Sequence, residues 1–456
     1  MSGISAPDFR AGFGRNVTGG AGKRVITVGS TADFVAAFPR NEIADCILQF
    51  SAPEIVIPNN TYIRSNVTID GTLNGQNGVN LLQPKDGKRQ IVIEDPASNI
   101  LICGLNCRGD AVPSGGGAEF DLLSIDATNG SAIDGVLIDR CTLSNATDGA
   151  LDIVGNARNI TVQRCLIYGT AVAMLMKYQA SDGWISLLYN VFAHNGERCP
   201  QIKGARQIDI CNLIVYCNDV AAYPDGTPVS PYGLRMWSAG AASDSPGNVV
   251  ANVAASAFIG VGAQMVLVDP DPGASNSGIY IDIDSLYCSP LANYGGVIKS
   301  PRETPNPIPA EFRAIVIPVS DMRTQMMPYI GAPNRSEEDQ LMVDQVTAAL
   351  YAVPGQPTGN SYLIMWDALD SYDDGSPLEL GATVSYEVEA ATPGGEPAIR
   401  TNTGISMDIT PDARGTTYRV RACLGTGADM ARGAWSNSVT RPGIPGTVKV
   451  KVTSGK

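Results

Sequence analysis

Short apolar alternations recur along the chain, usually after asparagine, glycine or another turn-forming residue. They are NVTIDG, NILICGLNC, GVLIDRCTLS, NITVQRCLIYG, WISLLYNVFAH, QIDICNLIVYC and GIYIDIDSLYC, which begin at Asn66, Asn99, Gly135, Asn159, Trp184, Gln207 and Gly278. From Val136 the first apolar position advances by 24, 25 and 23 residues, to Ile160, Ile185 and Ile208. Alternation predicts strands, and a near-constant period of this size predicts a solenoid. The intervening Gly, Asn and Asp, without leucine-rich-repeat spacing, favour an all-β parallel β-helix.

The pattern changes after about residue 288. RSEEDQLMVDQVTAALYAV (335–353) predicts a helix with Leu341, Met342, Val346 and Leu350 on one side. We therefore expect the β-helix domain, with this terminal helix, to span residues 1–352.

A different pattern of apolar and polar residues follows the helix. The segments SYLIMWDALD, TVSYEVEA, TTYRVRACL and GAWSNSVT predict four strands, the scale of a small β-sandwich. They resemble a fibronectin type III domain, with Trp366, Tyr386 and Tyr418 at its tryptophan, tyrosine and tyrosine-corner positions. We expect this domain over 353–442 and a tail over 443–456.

Composition narrows the function classes. The chain has 32 basic and 45 acidic residues, a net charge of −13, which disfavours nucleic-acid binding because that needs a basic surface. No apolar run is long enough to insert into a membrane. An acidic partner would require clustered cations or a metal ion.

The ten cysteines include no CxxC pair, so a zinc ribbon is not expected. At equivalent repeat positions they suit an apolar interior, and we expect buried thiols rather than disulfides. The single histidine, His194, is more consistent with a structural role than with catalysis.

Two acids, Asp148 and Asp152, flank Gly149 in TDGALDIVG. On a straight strand they would lie about 13 Å apart, too far to share one cation. Gly149 permits a sharp bend that would bring them together. The alternatives are a cation site, or a solvated turn acid beside a surface strand acid.

VLIDRCTLSNATDGALDIVGNARNITVQRC resembles the calcium-site region of pectate lyases of polysaccharide lyase family one. Further matches follow the family's chain order: GFGRNVTGGAGKRVITV, IRSNVTIDGTLNG, LICGLNCRGD, EFDLLSI, NVFAHNGERCPQIKGARQIDICN and GAPNRSEEDQLMVDQV. The resemblance covers about residues 6–350. It implies a right-handed parallel β-helix and cleavage of uronate chains by β-elimination.

The resemblance also implies a site. Asp121, Asp148 and Asp152 would bind Ca²⁺, the cofactor that would mediate between an acidic protein and an acidic polysaccharide. Arg198 would be the catalytic base. Because the reference pKa of arginine exceeds about 12, the residue type alone suggests a carboxylate-binding cation instead.

The substrate-binding residues depart from the family pattern. Lys203 replaces the second arginine of an RxPxxR motif, which keeps the charge but loses the bidentate fork. Val172 stands where many members have a substrate-binding lysine, and Lys177, five residues on, is a substitute. Arg235 is a further cation that we assign to substrate binding.

Two main hypotheses remain. The first is a calcium-dependent lyase of pectate or another uronate polymer, extracellular or carried by a phage tail. The second is a non-catalytic glycan-binding adhesin or tail receptor-binding protein; a purely structural solenoid is a third reading. The N-terminus shows no secretory signal, which we expect of a virion protein or a trimmed chain. A homo-oligomer is compatible with either main hypothesis.

Overall fold

The computed structural model describes two compact units, residues 1–344 and 345–456. The described residues are 11–83, 91–109, 121–146, 148–177, 184–204, 207–217, 232–241, 246–260, 264–268, 274–288, 300–350, 362–366, 384–391, 398–402, 406–409, 417–424, 431–432, 439–440 and 448–450.

The first unit is built mainly from short strands. Its described strands are β1 (Arg24–Val28), β2 (Glu42–Ile43), β3 (Cys46–Phe50), β4 (Glu54–Val56), β5 (Thr61–Ile63), β6 (Val67–Asp70), β7 (Val79–Leu82), β8 (Ile91–Glu94), β9 (Ala97–Cys103), β10 (Leu105–Arg108), β11 (Leu123–Ala127), β12 (Ile133–Asp139), β13 (Thr142–Ser144), β14 (Gly149–Gly155), β15 (Ala157–Gln163), β16 (Leu166–Tyr168), β17 (Val172–Lys177), β18 (Ile185–Leu188), β19 (Val191–Ala193), β20 (Gln201–Lys203), β21 (Ile208–Cys211), β22 (Ile214–Tyr216), β23 (Tyr232–Trp237), β24 (Val250–Ala254), β25 (Ala257–Ile259), β26 (Gln264–Val268), β27 (Gly278–Ile281) and β28 (Tyr287–Cys288). Its described helices are α1 (Thr31–Ala37) and α2 (Met322–Gln325), with 3-10 turns at Ile283–Ser285, Ala310–Phe312, Val319–Asp321 and Met327–Tyr329. A third helix, α3 (Glu337–Ala349), begins in this unit and ends in the second. Among the described residues, no helix is both long enough and apolar enough to cross a bilayer.

These strands form three parallel sheets, and each turn of the chain adds one strand to each sheet. The first sheet has the order β1-β3-β6-β9-β12-β15-β18-β21-β24-β27. The second has the order β2-β5-β8-β11-β14-β17-β20-β23-β26, and the third β4-β7-β10-β13-β16-β19-β22-β25-β28. The predicted parallel β-helix is confirmed.

The repeat read from the sequence is one coil of this helix. Val136, Ile160, Ile185 and Ile208 pair in register across four neighbouring strands of the first sheet, and all four are buried. Stacking identical apolar positions removes their surface from water in every coil. The period therefore reflects the number of residues needed to go once around the core.

The corners of the coils explain why asparagine and glycine precede the apolar phrases. In many coils one residue here has a left-handed backbone, a conformation that glycine and asparagine adopt most readily. Directly before the apolar phrase of the first sheet this residue is Asn66, Asn99, Gly135, Asn159 and Gln207 in five of the described coils. His194, with φ 50°, occupies such a corner and packs edge-on against Tyr216, as a structural histidine would.

Buried polar side chains support the stack between coils. Asn190 accepts a hydrogen bond from the Cys165 amide and donates one to the Val162 carbonyl. Cys141 and Cys165 lie buried one coil apart, and the hydrogen bond between the two thiols, followed by burial, raises the pKa of the Cys141 thiol. The Cys141 and Cys165 side chains pack in the apolar interior of the β-helix, as their equivalent repeat positions predict.

Helix α3 confirms the predicted terminal helix but not all of its buried side. Leu341 is 36% exposed, whereas Val343, which the periodicity left out, is 4% exposed. Asp339, one helical turn before Val343, is buried and hydrogen-bonded to the β-helix. It therefore turns its own side of the helix, which includes Val343, toward the core.

Asp339 joins the start of α3 to the β-helix. Its carboxylate accepts hydrogen bonds from Asn106, Tyr168 and Arg108. Asp339 and Ser336 also cap the helix reciprocally, each side chain accepting from the other's amide. Burial, together with the Asp339 charge, raises the pKa of the Tyr168 hydroxyl.

The second unit contains antiparallel strands. They are β29 (Tyr362–Trp366), β30 (Val384–Ala391), β31 (Ala398–Asn402), β32 (Ser406–Ile409), β33 (Thr417–Leu424), β34 (Ala431–Arg432), β35 (Val439–Thr440) and β36 (Val448–Val450). β30 pairs with β31 and β33, while β29 pairs with β32 and, in parallel, with β36. Each predicted strand segment contains an observed strand; the fibronectin-like sandwich and the domain limits stay predictions.

Two peripheral segments cover the outer face of the first sheet. The Gly14 amide donates to the Thr161 hydroxyl, and Asn252 on β24 exchanges hydrogen bonds with Asn306. Asp209 lies in the same row as Asn252 and is buried. Burial raises the pKa of Asp209 from 3.8 to about 6.

This burial predicts a pH-dependent stability. The folded state holds the Asp209 proton more tightly than the unfolded state, so its stabilising contribution is complete below about pH 4 and is lost as the pH rises through 6. A shift of this size corresponds to about 3 kcal/mol. We expect Asp209→Asn to raise the free energy of unfolding above pH 6, by up to that amount, and to change it little near pH 4.

Urea unfolding of wild type and variant across this pH range measures the effect. Asp284→Asn, which removes the same charge at an exposed position, is the control. Parallel pH profiles for wild type and Asp209→Asn would contradict the expectation.

Candidate active site

The predicted site residues gather on the outward side of the second sheet. We call this the site face: the outward residues of β11, β14, β17, β20 and β23, with the turns before β14 and β20. One row across it contains Asp152, Leu175, Gln201 and Arg235; the next contains Val154, Lys177, Lys203 and Trp237. The intervening residues, such as Ile153 and Met176, point into the core.

Two carboxylates converge at one end of the site face. A Cβ atom on Gly149 would lie 2.6 Å from Asp121 Oδ1 and 2.8 Å from Asp152 Oδ1. The Gly149 amide donates to Asp121 Oδ1 at 3.2 Å, and the Leu175 amide donates to Asp152 Oδ1 at 3.1 Å. Glycine is therefore needed here because any side chain would occupy the space that the two oxygens share.

Asp148 does not join this pair to form a compact group. Gly149 is the first residue of β14, and the chain bends at Asp148, one residue before the strand. Within the described ranges, no group of three or more acidic, histidine or cysteine residues has metal-binding spacing. The ligand role of Asp148 stays a prediction.

A hydroxyl that the sequence did not single out lies beside the pair. Ser124 is the register neighbour of Asp152, is 2% exposed, and its Oγ has no hydrogen-bond partner among the residues that the structure describes. A buried hydroxyl without a partner is costly unless something else bonds to it. Asp121, Asp152 and Ser124 thus supply oxygen donors of the kind that Ca²⁺ prefers. Ser124 is identified by its pairing with Asp152 on the adjacent strand, and this pairing is known only from the folded structure.

Arg198 lies in the turn before β20 and has a left-handed backbone, φ 58°. Its side chain is 30% exposed, and its Nε is 3.3 Å from Glu197 Oε1. Glu197 is buried and bridges to Val172, which in turn pairs with Gly149. Two strand spacings, about 10 Å, therefore separate the level of Arg198 from that of the acidic pair.

Tyr232 lies one coil beyond Arg198 and was missed by the sequence reasoning. Its hydroxyl donates to Gln201 Oε1. Burial, and after it the Glu197 carboxylate, raises the pKa of Tyr232 to about 12, while Arg198 and Arg235 act in the opposite direction. Its phenol is therefore neutral near pH 7.

Two of the predicted substrate-binding cations, Lys203 and Arg235, occupy the other end of the site face, and Lys177 lies on β17 in its middle. Lys177 is the register neighbour of Lys203, and Lys203 is the neighbour of Trp237. Lys203 Nζ lies 4.6 Å, and Arg235 Cζ 4.4 Å, from the centre of the Trp237 ring. Val172, where a lysine was expected, is buried; Lys177 places its charge at the other end of the same strand.

The site face therefore combines a carboxylate pair and a group of cations within a few coils of a parallel β-helix. That class of architecture suits an elongated, charged ligand lying across several strands. Residues 4–222 match the family model described as pectate lyase.

Individual relatives agree with this match. The chain is 27% identical over 219 residues to pectate lyase 1 of Ambrosia artemisiifolia, covering 43% of this chain and 53% of that protein. It is 24% identical over 310 residues to probable pectate lyase C of Aspergillus fumigatus, covering 63% and 64%. The chain spans about half the length of the first of these relatives.

Solved structures share the fold. The cedar pollen allergen jun a 1 gives a TM-score of 0.51 at 15% identity, with 70% of this chain and 92% of that chain covered. A polygalacturonate lyase fused with a self-assembling amphipathic peptide gives 0.50 at 15% identity, covering 74% and 100%.

The Gly149 geometry yields a prediction for cation binding. Gly149→Ala places a methyl group between the two carboxylates and should weaken Ca²⁺ binding about tenfold or more, because the oxygens are forced apart. Calorimetric titration with Ca²⁺, and the rise in unfolding temperature that Ca²⁺ produces, measure the effect without an activity assay.

The unfolding temperature in chelator is the internal control, since a misfolded variant would fall there too. A Gly149→Ala protein that is stable in chelator and binds Ca²⁺ like the wild type would contradict the prediction.

Proposed function

We propose that this protein is a calcium-dependent polysaccharide lyase that cleaves pectate or a related uronate polymer by β-elimination. The observation that carries the proposal is the joint placement of an acidic pair, Arg198 and three cations on one face of a pectate lyase-like β-helix. An acidic polymer can bind such a face despite the net charge of −13, because its positive charges are local.

The residues at the acidic end fit a calcium ion. Asp121 and Asp152 would hold it, with Ser124 within reach and Asp148 retained as a predicted ligand. Two carboxylates leave positions for substrate and water oxygens in the six to eight that Ca²⁺ takes. When bound, the ion would neutralise a substrate carboxylate and so make the proton on the adjacent carbon more acidic.

The cations would position the polymer. Lys203 and Arg235 bind uronate carboxylates, and Lys177 extends the row toward the next sugar. Arginine and lysine at fixed positions also stabilise negative charge that develops on a carboxylate during proton removal.

Arg198 is the catalytic residue of this proposal. In β-elimination a base takes the C5 proton, the C4–C5 double bond forms, and the bond from C4 to the glycosidic oxygen breaks. The family resemblance assigns the base role to Arg198. The Glu197 carboxylate opposes that role, because a neighbouring negative charge favours the protonated guanidinium.

The opposition between the Glu197 charge and the base role of Arg198 can be tested with the variant Glu197→Gln. If Arg198 takes the proton, Glu197→Gln makes its neutral form more accessible, and the rise of kcat/KM with pH should move to lower pH. The profile is measured across the alkaline range. Glu94→Gln, which breaks another glutamate–arginine pair on the same sheet, is the matched control.

An unshifted profile for Glu197→Gln, with activity retained, would contradict the base role and leave Arg198 as a cation. A shift that Glu94→Gln reproduces would mean that the effect is not local.

The lyase activity itself is tested by the ultraviolet absorbance of unsaturated uronide product. Polygalacturonate, alginate and acidic bacterial polysaccharides are supplied with Ca²⁺ or with chelator. We expect a calcium-dependent rise that falls at least about 100-fold in Arg198→Ala, since positioned base catalysis contributes about 10²–10⁴-fold. Asp152→Ala should raise the Ca²⁺ concentration required.

The controls are Arg158→Ala and Asp134→Ala, which remove the same charges from an ion pair on another sheet. Absence of product on every polymer, with polysaccharide binding retained, would instead support the glycan-binding adhesin. Extracellular location, virion attachment and oligomer formation stay predictions from the sequence.

A further inference from the structure

Trp237 carries two positive side chains on one aromatic ring. Lys203 Nζ and Arg235 Cζ lie 4.6 and 4.4 Å from its centre, within the ~6 Å over which a cation is attracted to a ring face. Arg235 Cζ is also 5.5 Å from the centre of the Tyr232 ring. No residue assignment made from the sequence included either aromatic side chain.

The sheet register brings these groups together. Lys203 is the direct neighbour of Trp237 on the adjacent strand, and Arg235 precedes Trp237 by two residues on the same side of its own strand. Arg235 and Lys203 are therefore diagonal neighbours, and their like charges repel each other. The electron-rich face of the indole offsets part of that repulsion and restricts where each long side chain can go.

We propose that Trp237 is a positioning residue that holds Lys203 and Arg235 together as one site for uronate carboxylates. The inference rests on the proposed function, since it names what orders the substrate-binding cations of the same site. In this proposal the site recognises the carboxylate group of the substrate. Lys203 and Arg235 cover the Trp237 ring, so the ring affects binding through these two cations. Trp237 itself does not touch the reacting atoms.

The expected signature is a change in binding rather than in chemistry. Trp237→Leu leaves both cations present but removes the ring that orders them. We expect KM for polygalacturonate to rise about five- to thirtyfold with kcat within about twofold, the fold-change that two cation–π contacts at half-buried side chains correspond to. Trp237→Phe keeps a weaker ring and should give a smaller rise.

Binding of small probes tests the same idea without turnover. Trigalacturonate and its methyl ester are titrated into the wild type and both variants, with indole fluorescence and calorimetry as readouts. Trp237→Leu should lose affinity for the acid form only, and the fluorescence change on binding the acid should disappear. Tyr62→Leu, which removes the ring 5.9 Å from Arg64 Cζ elsewhere on the same sheet, is the matched control and should behave like the wild type.

Several results would overturn the inference. An unchanged KM in an active Trp237→Leu enzyme would mean that the ring does not order the cations. Equal loss of affinity for the acid and the methyl ester would mean that the ring contacts the sugar itself. A loss of kcat with KM preserved, or an equal effect of Tyr62→Leu, would also contradict it.

These experiments distinguish a failure of the proposed function from a failure of the proposed role of Trp237. A wild-type protein that neither cleaves nor binds uronate polymers or trigalacturonate would overturn both proposals. A wild type that cleaves, with Trp237→Leu unaffected, would overturn only the role of Trp237.

Discussion

The in-register stacking of one coil on the next is the constraint on which the rest of the first unit depends. Parallel strands about 4.8 Å apart repeat each position of one coil in the following coil. The same rule that stacks Val136 on Ile160 in the core also sets Lys177 beside Lys203 on the surface. Left-handed residues recur at the corners of many coils, and the register must be kept because one added residue in a strand would turn its side chains to the opposite face.

The stacking also explains how opposite charges coexist on one face without cancelling each other. Asp121 and Asp152 meet at β11 and β14, whereas Lys203 and Arg235 lie at β20 and β23. The negative charges lie together in one pair of neighbouring coils and the positive charges in another, so like charges repel each other within each pair. Backbone amides reduce that repulsion at the acidic end, and the Trp237 ring does so at the basic end.

The family resemblance and the residue types proposed candidates for the site, but could not propose their local partners. Asp121, Asp152, Lys203 and Arg235 were proposed in this way; the structure places them on one face, and their roles stay predictions. Ser124, Glu197, Tyr232 and Trp237 were not, because each gains its meaning from a neighbour about 25 residues or more away, or from burial. The burial of Asp209, and of Val343 in place of Leu341, likewise follows from the packing of the folded chain and not from a local pattern.

The sequence by itself determined the β-helix, the length of its coil and the presence of a terminal helix, because period-2 alternation and corner residues are local signals that repeat. It also determined which residues could provide charge. Only the tertiary structure decided which charges meet, since the strand register is set by the packing of whole coils. That register places two carboxylate oxygens over Gly149 and two cations on one indole, and no local pattern specifies either arrangement.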